Sequence, residues 1–246
     1  MKNVALITGA SGGIGREFAQ IHAERGGDLV VVARSAGELD ALKVELENKH
    51  GITVMPIVAD LSTDEGVASV YDATDAAGID VDVLINNAGF GGHGHFIERD
   101  VATEKRMADL NIKALTELSH VYGGKMAARS KGKILNIGST AGMLPGPLQA
   151  VYYATKAYVN SFSQAIAEEL RDKGVTVTVL CPGPIETGFA SAADLQGVEA
   201  FKAKMVPPRN VAEAGYEAML KGKLVEINEA KYAFMLGYIT PLLPRQ

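Results

Sequence analysis

The chain has 246 residues, 47% of them apolar and 22% charged, the balance of an ordinary globular protein with enough chain to bury a substantial core. A net charge of −5 without a long run of either sign argues against a nucleic-acid or anionic-membrane surface. The lone Cys181 excludes an intramolecular disulfide framework and fits a reducing compartment.

The opening "MKNVALITG" goes straight into a strand pattern, with no signal-peptide apolar core or cleavage site, so a cytoplasmic location is expected. Strands are predicted at 4–8, 29–33, 53–59, 81–85, 133–137, 175–180 and 223–227. They are β-branched and nearly continuously apolar, as parallel strands covered on both faces must be. Helical patterns fill 13–25, 37–49, 63–77, 101–129, 151–173 and 209–221. Such alternation implies an α/β fold with a doubly wound, seven-stranded, mostly parallel sheet and helices on both faces. No linker, repeat or low-complexity stretch interrupts it, so residues 1–246 are expected to form a single domain. In sheets of this kind ligands bind beyond the carboxyl ends of the strands, where strand order reverses.

After the first strand, "LITGASGGIGREFA" spaces Gly9, Gly13 and Gly15 as G-x-x-x-G-x-G at the start of a helix. Glycines let the chain turn tightly and let a pyrophosphate approach the free N–H groups and positive dipole of the helix N-terminus. The second strand ends in Ala33 and Arg34, where an NAD-preferring fold commonly places an acid for the ribose 2′-hydroxyl. A guanidinium there suits a 2′-phosphate, so NADP(H) is expected over NAD(H). The bland alternative is that Arg34 is a solvated first-turn residue. Asp60, closing the third strand, can accept from an adenine amino group; Asp60 or Ser62 can equally cap the next helix.

His93 and His95 in "GFGGHGHF" have a spacing that can ligate a metal, but no neighbouring Cys or acidic cluster completes a set, and a rim loop without metal is expected. Ser139 follows the fifth strand at its carboxyl end, thirteen residues before Tyr152. In "VYYATKAYVNSF" (151–162) Tyr152 lies four residues before Lys156 and so shares its helix face, whereas Tyr153 pairs at that spacing with Ala157. An ammonium beside a phenol favours phenolate and lowers its pKa, which suits Tyr152 to acid/base chemistry and leaves Tyr153 to packing or the pocket. Cys181, followed by Pro182 and Gly183, reads as a buried thiol. Small residues, a glycine and two prolines at 188–208 suggest a substrate lid, with Met143, Leu144, Phe189 and Met205 shaping the pocket. "AFMLGYITPLL" (233–243) is too short for a membrane span and contains Pro241. It is expected to be a core or subunit-interface element, an interfacial anchor being disfavoured by its length and lack of basic flanks.

Taken in order, "TGASGGIG" (8–15), "NNAG" (86–89), Asn111 in "DLNIKAL", Ser139, "YYATK" (152–156) and "CPGPIET" (181–187) resemble the short-chain dehydrogenase/reductase family over residues from about 4 to 190. The co-occurrence of "NNAGFG", "STAG", "VYYATKA" and "CPGP" is similar to a branch of bacterial oxidoreductases of broad substrate, related to steroid- and ketoacyl-reducing enzymes. The resemblance implies a Rossmann-type fold in which Ser139 bonds the substrate oxygen and Tyr152 exchanges its proton. Lys156 would bind the nicotinamide ribose, and Asn111 would hold a water linking Lys156 to solvent. Ser11, Ile14 and Leu61 would complete the cofactor site begun by the glycines, Arg34 and Asp60. Asn87, Ala88 and Gly89 would line the adenosine side; Pro182, Gly183, Ile185 and Thr187 would border the nicotinamide. The family also implies a homodimer or homotetramer paired through 101–129 and 151–173.

The expected activity is therefore NADP(H)-dependent interconversion of a carbonyl and a secondary alcohol by hydride transfer, acting on a small molecule, with no nucleic-acid or membrane partner. The alternatives are an NAD-dependent alcohol dehydrogenase and, from another class, a cofactor-binding sensor or scaffold without turnover.

Overall fold

A computed structural model describes residues 1–186 and 205–240. Seven strands form one sheet in the order β3-β2-β1-β4-β5-β6-β7, and every neighbouring pair is parallel. They are β1 (Val4–Thr8), β2 (Leu29–Ala33), β3 (Val54–Val58), β4 (Val81–Asn86), β5 (Gly132–Ile137), β6 (Val175–Leu180) and a two-residue β7 (Val225–Glu226). The first two strands are buried at every position, as their unbroken apolar sequence requires.

The helices between them are α1 (Gly13–Glu24), α2 (Ala36–His50), α3 (Asp64–Ala76), α4 (Val101–Ala108), α5 (Leu115–Ala128), α6 (Ala150–Arg171), α7 (Pro208–Leu220) and the short α8 (Ala230–Phe234). Two apolar layers hold them to the sheet. One packs Phe18, Leu39, Leu42, Val211 and Met219 against Ile7, Val31 and Ile85. The other packs Val67, Val70, Leu118, Tyr122 and Met126 against Leu6, Val30 and Leu84. Each fully buried aliphatic side chain contributes ~1.5–3 kcal/mol relative to an exposed one.

Two expectations change. The single helix expected over 101–129 is α4 and α5 joined by a π-helical turn, Asp109–Ala114. Such a turn inserts one residue and rotates the helix beyond it. Here it carries Asn111, whose amide donates to Phe90 O at 2.9 Å and Thr155 Oγ1 at 3.1 Å and whose oxygen accepts from Phe90 N at 3.1 Å. Neither Asp60 nor Ser62 caps α3: Thr63 does, its hydroxyl accepting from Gly66 N at 3.0 Å. Asp60 instead closes a turn on Ser62 N and Oγ.

Strand order reverses between β1 and β4. Thr8 stitches that point together, its hydroxyl accepting from the backbone N–H of Asn87 and of Ala88 at 3.0 and 2.9 Å.

Candidate active site

A cleft of about 600 Å³ opens beyond the carboxyl ends of β1, β4, β5 and β6. Gly9, Ser11, Gly13 and Ile14 form one wall, Asn87, Ala88 and Gly89 the floor, and Ser139, Tyr152 and Lys156 the far wall with Pro182, Gly183 and Ile185. The glycine loop is shaped as a phosphate cradle. Gly9 and Gly13 have φ of 67° and 52°, a left-handed backbone that favours glycine. No side chain caps α1 at Gly12, so its first-turn N–H groups are left for a ligand in the cleft. Gly15 serves differently: a Cβ there would overlap the carbonyl of Gly9, so it lets α1 pack onto the loop instead of lining the cleft.

A second lobe of about 360 Å³ lies beyond β2 and β3, lined by Arg34, Asp60, Leu61, Ser62 and Arg106. The Ser62 hydroxyl and N–H, with Arg34 and Arg106 farther off, hold the Asp60 carboxyl below its usual range. Arg106 carries no sequence signal; tertiary structure alone brings it into the lobe with Asp60, 46 residues away.

Tyr152 and Lys156 project from α6, and Ser139 from the turn after β5. The Ser139 hydroxyl donates to Pro182 O at 3.4 Å and stands near enough to the Tyr152 phenol to favour its ionised form. It also accepts from Ala141 N at 3.0 Å, so Ser139 is both an N-cap and a cleft residue. Burial decides the charges here. It pushes the Tyr152 phenol up to about 12, only partly countered by Ser139. It also brings the Lys156 ammonium down to about 8. This reverses the expectation that Lys156 lowers the tyrosine: its Nζ donates to Ile137 O at 2.8 Å and stands 5.9 Å from the Tyr152 ring centroid. At that remove, desolvation outweighs the attraction of the charge.

Asn111 lies behind the cleft, 2% exposed, with its amide engaged by Phe90 and Thr155. Gly89 lies beside both it and Lys156: a Cβ there would meet Asn111 Oδ1 at 2.9 Å and Lys156 Nζ at 3.8 Å. Thr187, Phe189 and most of the expected lid lie outside the described residues. At its end, Val206 bridges to Ile185, and Pro208 begins α7.

The apolar wall differs from expectation. Leu144 and Tyr153 line the cleft, but Met143 packs against the cluster of Leu115, Val159 and Cys181. Tyr232, Met235 and Leu236 supply the rest. The 233–243 segment, as far as it is described, is therefore a wall of the site: α8 continues into a π-helical turn, Met235–Ile239. Cys181 is fully buried, and burial pushes its thiol up to about 12, which suits packing and not nucleophilic chemistry.

A glycine cradle at the switch point of a parallel sheet, faced by serine, tyrosine and lysine, defines a nicotinamide-dinucleotide oxidoreductase. The chain belongs to the short chain dehydrogenase family, whose sequence profile matches residues 3–196. It is 35% identical to the very-long-chain 3-oxoacyl-CoA reductases of Homo sapiens, over 76% of this chain, and Rattus norvegicus, over 98%. It spans 60% of the human relative's length and 75% of the rat relative's. Among solved structures, a short-chain dehydrogenase from Sphingobium yanoikuyae in complex with NADPH is 30% identical, with TM-score 0.87 over 99% of this chain and 98% of that one. One from Burkholderia phymatum in complex with NAD is 26% identical, with TM-score 0.86 over 99% and 98%. Among the described residues no helix is long and apolar enough to cross a membrane.

Proposed function

We propose that this chain is an NADP(H)-dependent reductase that interconverts a carbonyl and a secondary alcohol. The observation that carries the reading is that Ser139 and Tyr152 share one cleft with Lys156 and an uncapped glycine-loop helix. The residues fit a dinucleotide. The free N–H groups of α1 suit its pyrophosphate, and Asp60 and Leu61 border a lobe sized for its adenosine. Arg34, in the absence of an acid at the end of β2, favours a 2′-phosphate. The bound nicotinamide supplies or accepts the hydride.

The chain's own part is to hold the carbonyl and move a proton. With its pKa pushed up to about 12, the Tyr152 phenol is protonated at neutral pH and can donate to the carbonyl oxygen. Ser139 donates a second hydrogen bond as negative charge grows on that oxygen, a contact stronger in the transition state than in the ground state. Lys156, buried on the same helix face, places a cation beside the phenol and the ribose subsite. Asn111 acts from beside Gly89, in line with the water-holding role its family position implies.

For the substrate, Leu144, Tyr153, Tyr232, Met235 and Leu236 present an apolar wall beside Ser139 and Tyr152. This favours a ketone with an apolar body, and 3-oxoacyl thioesters, named for the mammalian relatives, belong to the class. A single domain, assembled as a homodimer or homotetramer through residues 101–129 and 151–173 in the cytoplasm, completes the proposal.

The test is NADPH consumption with a panel of ketones, aldehydes and 3-oxoacyl thioesters, alongside NADPH and NADH binding titrations. Tyr152→Phe should bind NADPH as the wild type does and lose turnover by ~10²–10⁴-fold. Near-native turnover in that variant would remove Tyr152 from the chemistry. Tighter binding of NADH than NADPH would overturn the cofactor preference.

A further inference from the structure

We infer that Asn160 is a positioning residue for Ser139, through which α6 sets the serine's place relative to Tyr152. The inference rests on the reading of Ser139 as the group that holds the substrate oxygen. Asn160 lies one turn beyond Lys156 and two beyond Tyr152, so all three share a face of α6. Its amide is buried, 6% exposed, and grips both peptide groups of Ser139. Nδ2 donates to Ser139 O at 3.0 Å, and Oδ1 accepts from Ser139 N at 3.4 Å. The same Oδ1 accepts from the Cys181 thiol at 3.3 Å, which ties in the end of β6.

Ser139 needs such a hold. The β5–β6 ladder ends at Ile137↔Leu180, two residues earlier, so no strand pairing fixes its backbone. Its backbone has a local anchor, Gly142 N donating to Ser139 O at 3.1 Å, and the link to β6 comes one residue on, where Thr140 N donates to Pro182 O at 3.0 Å. Ser139's own hydroxyl caps the short turn at Thr140–Met143 and donates a long bond to Pro182 O at 3.4 Å, which it must exchange for a substrate oxygen. None of these bonds ties Ser139 to α6, and the helix-borne amide supplies that constraint. It offers donor and acceptor in one plane, which a carboxylate or an aliphatic side chain of the same size does not.

The surroundings leave that amide little freedom. A Cβ at Gly138 would overlap Asn160 Oδ1, and one at Gly142 would lie 2.5 Å from Nδ2. These two glycines, on either side of Ser139, thus make room for Asn160, and the amide is locked where it can act. Because Tyr152 rides on the same helix, a shift of α6 carries both members of the proton-donating pair together. That is the condition for keeping reacting groups in register.

The test is a double-mutant cycle on the full chain, reading kcat, KM and the NADPH dissociation constant by fluorescence titration. Asn160→Ala should lower kcat ~10–100-fold and leave NADPH binding within ~3-fold, since the loss is of alignment and not of cofactor contacts. In a Ser139→Ala background the same change should cost less than ~3-fold, because the group it aligns is gone. Equal losses in both backgrounds would mean that Asn160 acts through packing alone, and would overturn the inference; so would near-native kcat in Asn160→Ala. If Asn160→Ala does not fold, Asn160→Ser enters the same cycle and is judged by the same ratio. A Ser139→Ala variant that keeps full turnover would defeat the serine's role and this inference with it. Loss in Ser139→Ala without loss in Asn160→Ala would defeat the inference alone.

Discussion

A phenol with a pKa pushed up to about 12 carries its proton across the whole range in which this protein can be assayed. Tyr152 is then ready to donate without preparation, but rarely a phenolate able to accept. The two directions should differ accordingly in pH dependence. Alcohol oxidation should rise by close to tenfold per pH unit up to at least pH ~10, without a plateau, while carbonyl reduction shows no such rise. A pH–rate profile in each direction checks this, and an oxidation plateau near neutral pH would show that bound cofactor restores the Lys156 influence that burial suppresses here. Spacing alone separated Tyr152 from Tyr153, because helix periodicity is a property of the chain. The sign of the pKa shift was not legible in the same way: it depends on how much water the surrounding elements exclude.

Between elements, the clasp of α1 to α7 has a polar centre. His22, fully buried, meets Tyr216 Oη at 2.7 Å through Nδ1 and Asn3 O at 2.7 Å through Nε2. Burial lowers the His22 pKa, so the folded protein holds its imidazole neutral. The unfolded chain binds a proton there below pH ~6.5 and the folded chain only at lower pH, so stability is present above ~6.5 and is lost as pH falls through the lowered value. Urea midpoints measured from pH 8 to pH 5 should show that decline. Tyr216→Phe should cost ~1–3 kcal/mol at pH 7 by leaving a buried ring nitrogen unpaired; no change would mean that water takes the phenol's place. No sequence pattern announces this pair, whose partners are 194 residues apart. The π-helical turn at Asn111 was hidden for a related reason: one inserted residue hardly disturbs an apolar repeat, and its benefit is a bond to Phe90, 21 residues away.

For the molecule as a whole, the site is built at some expense to stability. Lys156 is buried with its pKa brought down to about 8 from 10.5, so between those values the unfolded chain binds a proton that the folded chain sheds. Stability of the free protein should therefore rise as pH increases from about 8 to 9, above which the Cys181 thiol, kept protonated only in the folded chain, offsets it; at pH 7 the buried ammonium is a standing penalty. Lys156→Met should raise the thermal midpoint at pH 7 by a few degrees, remove the alkaline rise and abolish turnover. An unchanged or lower midpoint would show that the Ile137 carbonyl fully compensates the charge.

The amino-acid sequence by itself determined the alternation of strands and helices, the glycine loop and the placing of Tyr152 and Lys156 on one helix face, while Ser139 joined them through the family resemblance. The first three arise from local periodicity, backbone freedom or residue spacing, which need no distant partner. Tertiary structure alone decided which apolar side chains line the cleft, turning Met143 into the core and bringing in Tyr232, Met235 and Leu236. It also placed Arg106 in the lobe with Arg34 and Asp60 and set Asn160 against Ser139. Those outcomes depend on how elements far apart in the chain cross and how completely they exclude water, and desolvation is a property of the packed molecule.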